Sequence, residues 1–251
     1  MEPELVQALS NQLLAMADDE LILGHRDSEW TGHAPILEED IAFANIAQDE
    51  IGHAIIWYSL VAGLTGQDPD RQVFFRDAAA YRNVQLVELP KGDWAFSMLR
   101  QYLFDAAEMV RLTKWVNSRH RPLAEAAAKI RKEEIYHYRH TQAWIKRLGL
   151  GTEESHRRTQ NALDEMWPYV FQLFAPLPEQ ALLIQAGIVP DPDQARREWE
   201  DMVAPFLKES GLQAPMQRVP GAAQRHQHTD HLAALLAEMQ QVARLDSEAQ
   251  W

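Results

Sequence analysis

The apolar residues of this chain fall into long segments of helical periodicity, and most of its glycines and prolines lie between these segments. This pattern predicts an all-α fold. Four long helices are expected at about residues 4–27, 36–64, 93–118 and 122–148. Residues 67–92 contain a DPDR turn and a Pro90-Lys91-Gly92 break, so they are expected to form a long crossover between the second and third helices.

The residues after Gly151 predict shorter, peripheral helices. These are expected at about 153–173, 178–187, 192–210 and 229–245, with a polar loop at 211–228. Thr152 can cap the first of them, because threonine is favoured at helix N-termini. Since no Gly/Ser linker interrupts the chain, we expect a single domain over 1–251, with a core bundle at about 4–148 and additional helices at about 152–245.

Composition excludes several classes of protein. The 251 residues include no cysteine, which rules out disulfide scaffolds, thiolate zinc sites, iron–sulfur clusters and cysteine nucleophiles. The formal net charge, 24 − 37 = −13, repels phosphate backbones and anionic membrane surfaces, so neither nucleic acid nor a membrane is an expected partner. The polar start and the lack of any apolar run near roughly 18 residues predict a cytoplasmic protein.

Two copies of Glu-x-x-His carry the candidate chemistry. They are Glu50 with His53, and Glu134 with His137. The spacing places the glutamate and the histidine of each pair on one face of a helix. Each pair also has an acid about thirty residues upstream, Glu20 for the first and Asp105 for the second. That separation is roughly the distance up one helix, around a turn and back down its antiparallel neighbour.

Two such hairpins packed face to face would place four carboxylates and two imidazoles around one point, which is the ligand set of ferritin-like di-iron and di-manganese proteins. The expected ligands are Glu20, Glu50, His53, Glu134, His137 and either Asp105 or Glu108. The hairpin geometry does not separate the last two, which lie one turn apart. Oxygen and imidazole donors without thiolate favour Fe or Mn over Cu or structural Zn.

Other acids and histidines have less specific interpretations. A third Glu-x-x-His, Glu153 with His156, has no acid thirty residues upstream and is expected at the surface. Asp49 and Glu133 precede the motif glutamates, and each could accept a hydrogen bond from the histidine of the opposite motif. Structural or solvated roles are expected for His25, His33, His120, His140 and the histidines of segment 226–231.

Four runs of this sequence resemble the A/C-type subunits of the bacterial phenylacetyl-CoA 1,2-epoxidase complex. They are WTGHAPILEEDIAFANIAQDEIGHA, RQYLFDAAEMV, KIRKEEIYHYRH and HTDHLAALLAEMQ, and the resemblance spans essentially the whole chain. The length, the GHAP turn and the HTDHL…Trp251 ending are more similar to the C type than to the longer A type. The resemblance implies a ferritin-like four-helix bundle and a role in phenylacetate catabolism.

In that family the A type holds the di-iron centre that epoxidises the ring of a CoA thioester, whereas the C type is mainly its structural partner and typically has degraded ligands. This chain departs from the C pattern, since Glu20, Asp105 and both motifs fall where the ligands of the A type fall. By this correspondence Asp105 is preferred to Glu108. The resemblance further implies a di-iron cofactor, an aromatic acyl-CoA substrate and a homologous catalytic partner of the A type.

Three functions remain open at this stage. The first is a subunit of a di-iron monooxygenase, with a separate reductase because the chain has neither a GxGxxG fingerprint nor cysteines for a cluster. The second is a scaffold, without metal, that stabilises a catalytic homologue in an oligomer. The third is ferritin-like iron oxidation or peroxide scavenging, against which the long segment after residue 150 and the turn sequences count.

Overall fold

The computed structural model describes residues 1–215 and 224–246, and the regular structure in these residues is entirely helical. Their α-helices are α1 Pro3–Ser28, α2 Leu37–Thr65, α3 Pro69–Phe74, α4 Gln85–Glu88, α5 Trp94–Trp115, α6 Arg121–Gly149, α7 Glu153–Val170, α8 Gln180–Gln185, α9 Pro192–Glu209, α10 Asp230–Met239 and α11 Gln241–Leu245. The all-α prediction is confirmed. None of the helices in the described residues is long and apolar enough to cross a membrane.

The long helices α1, α2, α5 and α6 form the predicted ferritin-like bundle, close to their predicted bounds. α1 packs along α2 and α5 along α6 as two hairpins, and α2 contacts α6 between them. Gly24 brings the first hairpin together, because a Cβ atom there would lie 3.0 Å from the backbone oxygen of Ala47 and 3.1 Å from Cβ of Glu50. Glycine at this position lets α1 approach α2 at the level of Glu50.

The helix ends follow local sequence signals. Pro122 lies in the first turn of α6, where a missing amide donor costs little. Gly66 ends α2 in the left-handed conformation, with φ of 73°. Thr152 caps α7, as predicted, by accepting a hydrogen bond of 3.1 Å from the backbone N–H of Ser155. These signals fix where each hairpin turns, and therefore which residues of the paired helices lie at the same level.

Buried acids of α1 tie the predicted crossover to the bundle. Asp18 accepts a hydrogen bond of 2.8 Å from the backbone N–H of Arg82 and pairs with Arg76. Asp19 accepts one of 2.7 Å from the backbone N–H of Val84. The crossover, which contains α3, α4 and a 3-10 turn at Ala78–Ala80, is therefore held along α1.

The helices after α6 cover the second hairpin. α7 and α9 pack on α5, and the indole N–H of Trp199 donates to the backbone oxygen of Leu103 at 3.2 Å. The predicted terminal helix is divided at Gln240, whose side-chain amide donates to the backbone oxygens of Val73 and Arg76 in the crossover, at 2.9 Å each. The predicted polar loop lies partly outside the described residues, at 216–223, as does the ending at Trp251.

Candidate metal centre

Six predicted ligand residues converge at the middle of the bundle from four helices. They are Glu20 on α1, Glu50 and His53 on α2, Asp105 on α5, and Glu134 and His137 on α6. Glu20 is 1% exposed, and the other five are 0% exposed. Candidate ligand atoms form two groups, each with all atoms within 4.8 Å of one another: Glu20, Glu50, His53 and Glu134 in one, and Glu50, Asp105 and His137 in the other. Glu50 belongs to both groups.

Both imidazoles direct Nδ1 toward the carboxylates. Nδ1 of His53 lies 3.6 Å from Oε2 of Glu20 and 3.5 Å from Oε1 of Glu134. Nδ1 of His137 lies 3.4 Å from Oε1 of Glu50 and 3.2 Å from Oε1 of Glu134. The ring centroids of the two histidines are 5.9 Å apart. The nitrogen and oxygen atoms that prefer hard divalent metals thus face a common space.

The outer nitrogens of the histidines contact the acids that precede the opposite motif. Nε2 of His53 donates to Oε2 of Glu133 at 2.8 Å, and Nε2 of His137 donates to Oδ2 of Asp49 at 3.2 Å. This predicted pairing is confirmed. It fixes each ring so that Nδ1 is the nitrogen left for the interior, as carboxylates do for metal-binding histidines. The side chains of Asp49 and Glu133 are 42% and 41% exposed, so they also form the boundary between the cluster and solvent.

The chemistry of the interior fits a cation better than a self-contained polar network. Four buried polar atoms there have no hydrogen-bond partner: Oε2 of Glu20, Glu50 and Glu134, and Nδ1 of His53. Buried polar groups without a partner are costly and uncommon in folded proteins. Metal ions held by these residues would give the carboxylate oxygens and the imidazole nitrogen a partner.

Burial and mutual repulsion dominate the electrostatics of the carboxylates. Burial raises the pKa of Glu20, Asp105 and Glu134, and neighbouring carboxylates raise it further. Burial also acts to raise the pKa of Glu50, but hydrogen bonds with Glu20 and the two histidines outweigh it and lower that pKa. Without a cation, the cluster therefore holds protons that the same carboxyl groups would release in water.

The carboxylates in turn favour the imidazolium form of both histidines. Burial acts to lower the pKa of His53, but hydrogen bonds with Glu20 and Glu50, together with the carboxylate charges, raise it to about 12. Burial is also outweighed at His137, chiefly by the charge of Glu134, and its pKa is raised. Because a metal binds deprotonated ligands, metal binding at this cluster must release protons.

Two polar residues of the cluster were not predicted from the sequence. The side-chain amide of Gln101 donates to Oε1 of Glu50 at 2.6 Å and to Oδ1 of Asp105 at 2.7 Å. The hydroxyl of Thr141 donates to Oδ2 of Asp105 at 2.8 Å. Gln101 lies four residues before Asp105 and Thr141 four residues after His137, so helical periodicity places both on the ligand faces. This helical spacing was the feature of the sequence from which the positions of Gln101 and Thr141 in the cluster could have been predicted.

The rival carboxylate Glu108 lies in a different environment. It belongs to neither ligand group and pairs with Arg111 on the same helix. The third motif is at the surface, as predicted: Glu153 is exposed, and Nδ1 of His156 contacts the backbone oxygen of Gly149 at 2.8 Å.

The remaining histidines are also outside the cluster. His120 caps α6 by accepting from the backbone N–H of Leu123 at 3.3 Å. Nε2 of His140 lies 2.9 Å from Oε2 of Glu39, and Nδ1 of His228 lies 2.6 Å from Oε1 of Glu88. His25, His33, His226 and His231 belong to neither ligand group. The structural interpretation is confirmed for the histidines with these fixed partners.

The fold and this site define a protein built on a four-helix bundle, with a buried carboxylate–histidine cluster that could hold metal ions. The chain belongs to the phenylacetic acid catabolic protein family, which matches it over residues 1–251. It is 37% identical over 245 residues to the C subunit of the 1,2-phenylacetyl-CoA epoxidase of Escherichia coli, covering 97% of this chain and 99% of that protein. It is also 24% identical over 215 residues to the A subunit of the same epoxidase, covering 83% of this chain and 69% of that protein.

Proposed function

We propose that this chain is a metal-binding subunit of a multicomponent di-iron monooxygenase that epoxidises the aromatic ring of phenylacetyl-CoA. The observation that carries the proposal is the convergence of four carboxylates and two imidazoles with unpartnered atoms in a buried space. The similarity to the C subunit of the epoxidase, over nearly the full length of both proteins, supports the reaction class.

The proposed ligands divide between two metal positions. Glu20, Glu50, His53 and Glu134 would hold the first ion, and Glu50, Asp105 and His137 the second, in keeping with the two groups of candidate atoms. Two ferrous ions, or two manganous ions, would balance the four carboxylate charges. When bound, a pair of redox-active ions supplies the means to activate dioxygen.

The other residues of the site orient these ligands and limit access to them. Glu133 and Asp49 hold the two imidazole rings, and Thr141 holds the carboxylate of Asp105. Metal binding would require the Nδ1 atoms of both histidines to be deprotonated, while their Nε2–H groups keep their hydrogen bonds to Glu133 and Asp49. The apolar packing of the bundle keeps bulk water from the cluster.

We propose a supporting role for this chain beside a catalytic homologue. The similarity of this chain to the C subunit of the epoxidase, over nearly the full length of both proteins, supports such a role. We propose an A-type homologue as the catalytic partner, with an interface of obligate size, over ~2,000 Å². A separate reductase supplies the electrons, since the chain contains no cysteine for a cluster.

Reconstitution tests this assignment. The complex of this chain with its A-type homologue and a reductase should convert phenylacetyl-CoA to an epoxide. Glu50→Ala in this chain should leave much of that activity, and the equivalent substitution in the partner should abolish it. Loss of all turnover from Glu50→Ala, with assembly intact by size-exclusion chromatography, would make this chain the catalytic one.

A further inference from the structure

Gln101 makes the two groups of candidate ligand atoms unequal. They are called here the His53 group, with Glu20, Glu50, His53 and Glu134, and the His137 group, with Glu50, Asp105 and His137. Its amide nitrogen lies between two carboxylates, 2.6 Å from Oε1 of Glu50 and 2.7 Å from Oδ1 of Asp105. Both carboxylates belong to the group that contains His137. The amide therefore contacts, from the same side chain, two carboxylates that a cation at the His137 position would bind.

The unpartnered atoms lie mainly in the His53 group. Oε2 of Glu20, Oε2 of Glu134 and Nδ1 of His53 have no hydrogen-bond partner, and these three residues belong to the His53 group alone. Oε2 of Glu50, which belongs to both groups, is also without a partner. In the His137 group, by contrast, both oxygens of Asp105 are engaged, one by Gln101 and one by Thr141. The His53 group thus offers a cation more unpartnered atoms than the His137 group does.

The Gln101 amide faces the two carboxylates with its nitrogen. Its oxygen, Oε1, is buried without a hydrogen-bond partner. The bonds to Glu50 and Asp105 are therefore the hydrogen bonds that hold the amide in place, and a cation that binds both carboxylates would have to replace them.

We propose that Gln101 acts as an internal competitor for the second metal ion. The chain fills the His53 position first, and a second ion enters beside His137 only after the Gln101 amide leaves Glu50 and Asp105. This inference rests on the proposed metal centre. It adds that the two ions bind in a fixed order and with unequal affinities. An ordinary positioning residue would have the opposite effect, because its removal would weaken the second site.

Manganous ion is a suitable probe, since mononuclear and spin-coupled dinuclear Mn²⁺ are distinguished by electron paramagnetic resonance. The metal-free full chain is titrated with Mn²⁺, and binding is followed by isothermal titration calorimetry and by electron paramagnetic resonance. Gln101→Met removes the amide donors at similar volume, and Gln101→Ala serves as a second variant if methionine perturbs the fold. Gln12→Met is the matched control, because Gln12 is 3% exposed and its amide oxygen accepts from Gln180 rather than from the cluster.

The wild-type chain should bind one Mn²⁺ tightly and a second at least about tenfold more weakly, with a mononuclear signal at one equivalent. Gln101→Met should tighten the second step by at least about tenfold and give the coupled signal at lower metal concentration, while Gln12→Met behaves as wild type. Two equal steps in wild type, or a weaker second step in both Gln101 variants, overturn the inference and leave the proposed centre standing. No binding to any of the proteins overturns both.

Discussion

The sign of a stability change can distinguish a metal site from a structural ion-pair network. Glu134 and Glu108 are both buried carboxylates, yet their surroundings differ. Glu134 lies among other acids and beside both histidines, and burial followed by repulsion from Glu50 outweighs the histidine contacts and raises its pKa. Glu108 pairs with Arg111, whose side chain is 10% exposed. The same change, glutamate to glutamine, should therefore act in opposite directions at the two positions.

The magnitudes follow from the burial of the groups. When a buried acid with a raised pKa is ionised, its charge opposes folding by about 1.4 kcal/mol for each pKa unit of the rise. Glu134→Gln removes that penalty and should stabilise the metal-free protein. Glu108→Gln leaves the buried guanidinium of Arg111 with a neutral partner, and should destabilise the protein by about 2–3 kcal/mol.

Urea denaturation of the chelator-treated proteins at pH 7 measures both changes. Addition of Mn²⁺ before denaturation then gives the stabilisation by metal, which should be large for wild type and for Glu108→Gln and small for Glu134→Gln. If Glu134→Gln destabilises the metal-free protein, its carboxylate is part of a structural network and the reasoning is refuted. If Glu108→Gln alone abolishes the stabilisation by metal, the assignment of the fourth carboxylate is wrong.

Further substitutions and pH test the same cluster. His53→Ala and His137→Ala should each remove most of one equivalent of bound ferrous iron in an anaerobic titration, and retention of full iron by both variants would refute the ligand set. Asp105→Asn should lower metal binding in that titration, since it removes a ligand charge, while the protein remains folded by circular dichroism. The metal-free protein should lose stability between pH 7 and 9, because the pKa of His53 is raised from 6.5 to about 12 in the folded state. The contribution of protonated His53 to the free energy of unfolding is complete below pH 6.5 and falls as the pH rises toward the pKa of the folded state. Unfolding free energies that rise with pH over this range would contradict the electrostatic account.

The periodic spacing of the motifs was sufficient to predict that these carboxylates and histidines come together in the bundle. Glu50 with His53 must share a helical face, and the length of a helix hairpin places Glu20 beside them. The same reasoning correctly paired Asp49 and Glu133 with the opposite histidines, because residues next to a ligand are rotated toward the neighbouring helix.

The contribution of Gln101 could not be predicted in this way. Glutamine is common on exposed helical faces, and its role depends on two carboxylates from different helices meeting its amide. Glu108 could not be excluded by spacing either, since its separation from the cluster follows from its pairing with Arg111. The contacts of Gln240 likewise involve distant backbone oxygens in the crossover. Each of these features arises from side-chain contacts that the periodicity of the sequence does not specify.

We propose that the six buried residues hold two metal ions. Mössbauer spectroscopy tests this proposal on the purified chain, loaded anaerobically with ⁵⁷Fe and compared with a His53→Ala/His137→Ala double variant. At saturation we expect two iron ions per chain with histidine and carboxylate ligation, and neither site in the double variant. Equal iron content and identical spectra in the two proteins would show that these residues do not hold the iron.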